Sequence, residues 1–210
     1  MSVPKTVAHL REAVRRLLDE NSRFMEDSGP EYFAPFLTSQ EPEVTVVCCS
    51  DSRVHTQAVD SNPDNRLFVV RNIGNQMATS EGSVEYAVHH LRTPILLILG
   101  HVRCGAIAAA AGDYSGETPA IRRELETLKV VRGGDWLENV RSNVNDQVEV
   151  ALRKFEAQVK GRELVVIGSV YDFADDLGHG CGKLVITNIN GEFRPLVVKA
   201  FLAEHLGEKP

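Results

Sequence analysis

Apolar residues recur along this chain in two rhythms. From Val7 to Met25 they fall at Val7, Leu10, Val14, Leu17, Leu18 and Phe24, the three-and-four spacing of an amphipathic helix. Four later runs, Val44 to Cys49, Leu67 to Val70, Ile95 to Leu99 and Leu164 to Ile167, are short and apolar without alternation. Strands covered on both faces read this way. Helical segments lie between them. One is Ser80 to Leu91, opened by Thr79 or Ser80 as a cap. A second starts at Cys104 and runs through the alanines. A third is Trp136 to Lys160, with Leu137, Val140, Val144, Val148, Leu152 and Phe155 at helical spacing. Strands alternating with helices imply βαβ units and a mainly parallel sheet. Leu184 to Thr187 and Glu192 to Leu196 flank Asn190-Gly191, a hairpin signal, and are expected to add a short antiparallel edge. Gly112 to Pro119 reads as a loop. No repeat, low-complexity segment or linker divides the sequence. The expected fold is α/β: a mainly parallel central sheet flanked by helices, with a short antiparallel edge and an N-terminal helical arm. It would form one domain over residues 1–210, with the arm at 1–30, the site-bearing core at 40–110, and a C-terminal helix, strand and hairpin at 135–210.

Composition narrows the function classes. A 43% apolar and 25% charged chain is ordinary for a globular protein, and a net charge of −6 argues against a nucleic-acid partner. The longest apolar run, Pro94 to Leu99, is strand-sized and far too short to cross a membrane. The charged amphipathic N-terminus lacks the apolar core of an export signal, so a cytoplasmic location is expected. In that setting Cys48, Cys49, Cys104 and Cys181 read as metal ligands, catalytic groups or buried apolar residues rather than a disulfide framework.

Two stretches carry the chemistry. VTVVCCSDSRV ends a strand in thiols, a carboxylate and a guanidinium; ILLILGHVRCG ends another and continues as His101-x-x-Cys104 before a helix. Open α/β sheets bind ligands at the carboxyl ends of their strands. Parallel neighbours would therefore bring Cys49, His101 and Cys104 together. Two thiolates and an imidazole suit zinc, and three protein ligands leave a fourth position for water. Asp51 could compete for that position or orient the water, and Arg53 could hold it ionised through two parallel hydrogen bonds. A lone cysteine at a strand end is usually a buried apolar residue; the two motifs together favour a metal. Adjacent strand residues point to opposite faces, so only one of Cys48 and Cys49 can face the site; Cys49 is taken as the ligand and Cys48 as core.

Cys49-Ser50-Asp51-Ser52-Arg53, followed about fifty residues on by Gly100-His101-x-x-Cys104-Gly105, resembles the β-class carbonic anhydrases. The similarity extends to FVVRNIGN (Phe68 to Asn75), GSVEYAVHHL (Gly82 to Leu91) and VVIGSVYDF (Val165 to Phe173), in the same order. The resemblance implies one zinc per chain on Cys49, His101 and Cys104, and reversible hydration of CO₂ to bicarbonate by zinc hydroxide. Asp51, held by Arg53, would orient the hydroxide. Gln40 and the backbone N–H of Gly105 would contact substrate oxygens, and Phe68, Ile73 and Tyr86 would form the apolar CO₂ pocket. The family builds its site across a dimer interface with a helical arm over the partner, so a homodimer or homotetramer is implied. His90 matches a family histidine suited to proton transfer, with His55 a second choice; His9, His89 and His205 read as structural or surface residues.

Family members whose aspartate closes the site typically carry a tryptophan three residues before the first cysteine. That position is Val46 here, and the single tryptophan is Trp136, which implies the always-open subtype. One departure is FADDLGHGCGKL, Phe173 to Leu184, where the family has a short link. Its His179 and Cys181 are too few for a second metal site, and it reads as a flexible loop. Three other readings compete: a hydrolase of carbonyl sulfide or carbon disulfide on the same scaffold, a non-catalytic zinc protein, and a thiol redox protein. Gln40, Asp51 and Arg53 argue for catalysis, and vicinal cysteines lack redox C-x-x-C spacing.

Overall fold

A computed structural model of the chain describes residues 7–206. Residues 1–6 of the expected arm and the His205 side chain lie outside the described set. The chain falls into two units, the first ending at Gln40 and the second beginning at Glu41.

The first unit carries α1 (Val7–Asp27) and the short α2 (Pro30–Phe33). The α1 helix forms as its periodicity predicts, and none of its residues is buried. Phe24, Tyr32, Phe33 and Phe36 close the unit as an edge-to-face aromatic cluster, with centroids between 5.0 and 6.1 Å apart.

The second unit is built on five strands: β1 (Val44–Cys49), β2 (Leu67–Asn72), β3 (Ile95–His101), β4 (Val165–Asp172) and β5 (Lys183–Ile189). Their order is β2-β1-β3-β4-β5, parallel throughout except for the β4–β5 pair. The expected α/β fold with an antiparallel edge is the observed one. Its helices are α3 (Glu81–Glu85), α4 (Gly105–Ala111), α5 (Pro119–Glu126), α6 (Trp136–Lys154), α7 (Glu156–Lys160) and α8 (Pro195–Leu206).

Both faces of the sheet are packed, which is why its central strands are continuously apolar. One core joins Val47, Cys49 and Ile98 to Val144, Val148 and Phe155; the other joins Val46, Cys48, Leu97 and Leu99 to Tyr171. Two glycines let α6 approach β3 and β4 closely. A β-carbon at Gly100 would meet Val144 Cγ2 at 2.6 Å, and one at Gly168 would meet Val144 Cγ1 at 2.8 Å. Asp135 caps α6 by accepting N–H bonds from Leu137 and Glu138, each at 2.9 Å.

Three expectations need correcting. Asn190-Gly191 does make a tight turn, with both residues at positive φ and an isolated Ile189–Glu192 bridge. The segment after it is not a strand. Pro195 opens α8 instead, and β5 pairs with β4. The helix expected over Trp136 to Lys160 breaks at Phe155, whose fully buried ring leaves the helical conformation (φ −109°, ψ 31°). Ser80 to Leu91 is α3 followed by a wider π-type turn over Tyr86–Leu91.

Candidate metal centre

The sheet order reverses at β1, since β2 lies on one side of it and β3 on the other. A crevice at the carboxyl ends of strands at such a switch point is where open α/β sheets bind ligands. Cys49 is the last residue of β1 and His101 the last of β3. Cys104 follows directly and stands at the N-cap of α4.

The ligand atoms of Cys49, His101 and Cys104 all lie within 4.8 Å of one another, and all three residues are buried. The two sulfurs are 4.0 Å apart. His101 Nδ1 is 2.9 Å from the Val102 carbonyl, which can only accept, so Nδ1 carries the proton and Nε2 is left as a bare lone pair. Nε2 is buried with no hydrogen-bond partner. A buried polar atom without a partner is costly, and a cation between it and two sulfurs removes the cost.

The thiols are polarised for the same role. Cys49 is pulled down to about 4, first by the hydrogen bond from Cys104, with burial opposing and His101 and the Gly74 and Asp51 backbone N–H groups assisting. Cys104 is pushed up by its bond to Cys49, by burial and by the Cys49 charge; the Ile107 and Ala106 N–H groups work the other way. Cys48 is pushed up to about 11, chiefly by burial. It stays a neutral thiol in the opposite core.

Asp51 lies at the edge of this set, Oδ2 standing 3.9 Å from His101 Nε2. Arg53 donates to it twice in parallel, Nε to Oδ1 at 2.9 Å and Nη2 to Oδ2 at 2.7 Å, and its backbone N–H adds a third bond at 3.0 Å. The Arg53 guanidinium is the main reason the Asp51 carboxyl is held well below the usual carboxylate range.

Several residues that shape this loop have no signal in spacing or periodicity. Arg71 Nη2 reaches the carbonyls of Cys49, Asp51 and Val54 at 3.0, 2.9 and 3.1 Å and so gathers the turn after β1. Phe173 lies beneath the Arg53 guanidinium, 4.7 Å from its centre. From α6, Asn143 donates to the Gly74 carbonyl at 3.0 Å, and the Met77 N–H donates to Gln147 at 2.8 Å. These amides fix the turn whose Gly74 N–H faces Cys49.

The remaining expected site residues are spread over several elements. Gly105 opens α4, where its N–H has no intrahelical acceptor. Phe68, Tyr86 and His90 form a stack, with centroids 6.1 Å and then 4.6 Å apart. Phe68 pairs with Thr45, four positions before Cys49 on β1, about 13 Å by the strand rise. Tyr86 and Ile73 are exposed. His55 is exposed after the turn that follows Arg53, and Gln40 is exposed at the end of the first unit.

A doubly covered, mainly parallel sheet with a Cys–His–Cys cluster at its switch point defines an α/β protein with a candidate metal-binding donor set at its strand ends. The chain belongs to the carbonic anhydrase family: the family's model matches residues 44–179. It is 28% identical over 183 residues to carbonic anhydrase 2 of Mycobacterium tuberculosis, covering 78% of this chain and 88% of that one. It is 35% identical over 130 residues to the carbonic anhydrase of Pseudomonas aeruginosa, covering 57% and 59%. A tetrameric β-carbonic anhydrase from Sordaria macrospora shares the fold with a TM-score of 0.72 at 24% identity, over 83% of this chain and 96% of that one. The fold is that of the β class.

Proposed function

We propose that this chain catalyses the reversible hydration of carbon dioxide to bicarbonate and a proton, with one zinc ion per chain held by Cys49, His101 and Cys104. The observation that carries this reading is His101 Nε2: buried, without a hydrogen-bond partner, and converging with two sulfurs. The donor set fits zinc, which accepts two thiolates and an imidazole and keeps a fourth position open. Bound there, zinc would supply the Lewis acidity that makes a water proton easy to lose near neutral pH.

The protein's own groups would do the rest. Asp51, kept ionised by Arg53, can only accept, so it selects an O–H donor beside the ligand set and fixes its direction. Arg53 also engages both Asp51 oxygens, which supports a site that the carboxylate does not close. The Gly105 N–H and Gln40 are the proposed contacts to substrate oxygens. Phe68, Ile73 and Tyr86 are the proposed apolar wall, which suits a substrate with no net dipole. His90, stacked on exposed Tyr86, is the proposed proton carrier.

A homodimer or homotetramer is part of the same proposal. Val7, Leu10, Val14, Leu17 and Leu18 are exposed along α1, and Tyr86 is exposed in the Phe68–Tyr86–His90 stack. Both suit a site completed by a second copy. No helix among the described residues is long and apolar enough to cross a membrane. A cytoplasmic setting is proposed because thiolate ligands need surroundings that keep them reduced.

The deciding experiment is stopped-flow CO₂ hydration between about pH 6.5 and 9, bracketing the range in which a metal-activated water ionises, on protein of known zinc content. Fast hydration at one zinc per chain is the expected result. Stoichiometric zinc without hydration would direct attention to carbonyl sulfide and carbon disulfide.

A further inference from the structure

The segment Phe173 to Leu177, expected from the sequence to be part of a flexible loop, packs against the turn that carries two of the three candidate donors. Arg103 stands between His101 and Cys104, and its backbone is left-handed at φ 54°. That conformation is unfavourable for a residue with a β-carbon. It turns the Arg103 carbonyl toward Arg53, whose Nη2 donates to it at 3.1 Å. The same nitrogen donates to Asp51 Oδ2 at 2.7 Å.

The Arg103 side chain is held from the other direction. Its Nε and Nη2 donate to Asp176 Oδ2 and Oδ1, both at 2.9 Å. Asp176 is fixed in turn, because its N–H donates to Asp172 Oδ1 at 3.0 Å. Asp172 is fully buried and also accepts the N–H groups of Ala174 and Leu177, at 3.1 and 2.7 Å. The loop expected to be flexible is therefore anchored over its first half. It supplies both the clamp on Arg103 and the Phe173 ring beneath Arg53.

We propose that Asp176 and Arg103 are positioning residues for the reaction: their ion pair holds the Arg103 carbonyl where it fixes the Arg53 guanidinium on Asp51. This rests on the Asp51–Arg53 role proposed above. An ion pair in which Arg103 is 58% exposed contributes little to stability. Its loss should therefore appear in turnover rather than in folding.

The test uses the full zinc-loaded chain and the variants Asp176→Asn, Arg103→Gly, Arg53→Ala and Arg53→Ala with Asp176→Asn. Glycine at 103 relieves the left-handed backbone while removing the clamp. Asp176→Asn and Arg103→Gly should each lower kcat about fivefold with KM and zinc content unchanged. The thermal midpoint should move by less than about 2 °C. Asp176→Asn should add nothing once Arg53 is alanine. In zinc-free and zinc-loaded protein alike, exchange of the Arg53 Nε proton with solvent, followed by NMR, should quicken in Asp176→Asn. Independent, additive losses in the double variant would overturn the proposal, as would unchanged Nε proton exchange. If Arg53→Ala alone turns over normally, the dyad reading fails and takes this one with it. If Arg53→Ala is slow while Asp176→Asn is normal, only the positioning role falls.

Discussion

Cys48 and Cys49 are neighbours in sequence and stand on opposite faces of the sheet, Cys49 in the core that contains Cys104 and Cys48 in the core that contains Tyr171. The metal should follow that division. Cys49→Ser should bring zinc content close to zero, because it removes a ligand. Cys48→Ala should keep one zinc per chain and cost about 1 kcal/mol of stability as a small core truncation. Metal analysis of the purified variants decides it; zinc loss in Cys48→Ala would reverse the assignment.

Asp51→Asn should retain zinc and lose about a hundredfold or more in kcat, the usual scale for removing one oriented polar group from a reacting site. Arg53→Ala should lose a similar factor, because Asp51 then lacks its two side-chain bonds. Near-normal CO₂ hydration by Asp51→Asn would end the dyad reading.

Asp172 should set an acid limit on the structure. Burial works to raise its pKa, but the N–H groups of Leu177, Asp176, Ala174 and Asp175 together hold it below the ordinary carboxylate value. A depressed carboxyl stabilises the fold above its unfolded pKa of about 3.9 and loses that contribution as pH falls toward the folded value. Asp172→Asn should thus cost about 2 kcal/mol at neutral pH. The gap from wild type should narrow below about pH 4. Denaturant titrations at pH 7 and pH 3.5 measure this; a constant gap would contradict it.

The amide ladder of α6 predicts a different coupling. Gln147→Leu leaves the buried Met77 N–H without an acceptor and should cost about 2 kcal/mol. Asn143→Ala frees the Gly74 carbonyl and should weaken zinc binding as well as stability. Zinc affinity by competition with a chelating dye, beside the thermal midpoint, separates the two effects.

Tyr86→Ala should impair CO₂ hydration more than zinc content. Because Tyr86 is exposed and the site is proposed to be completed by a second copy, the same variant should also shift the oligomer toward monomer by sedimentation. Unchanged kinetics would remove Tyr86 from the pocket.

Much of this was legible because buried parallel strands write themselves as apolar runs. Cys49 and His101 could be placed because each ends such a run, and strand alternation allowed only one of Cys48 and Cys49 to face the site. The helix α5 was missed although Thr118-Pro119 carries its signal: a cap whose hydroxyl accepts the Ile121 N–H, with proline at the first position. The α8 helix was hidden by a true Asn-Gly turn, which reads as the middle of a hairpin, and Pro195 was the available correction. Arg71, Phe173, Asp176 and Asn143 were illegible for another reason. Their partners are carbonyls, ring faces and side chains of distant segments, which no local pattern encodes.

The seat that Gly100 leaves for Val144 has a consequence for how this molecule wears out. Gly100 directly precedes His101, so α6 rests one residue from a metal-site donor. A substitution that lifts the helix there should tilt the imidazole before the sheet comes apart. Gly100→Ala should accordingly shed zinc at temperatures where its circular dichroism is still native, and Val144→Ala in the same chain should restore retention. Ageing of such a protein would register first as leaked metal, with the fold outlasting the chemistry.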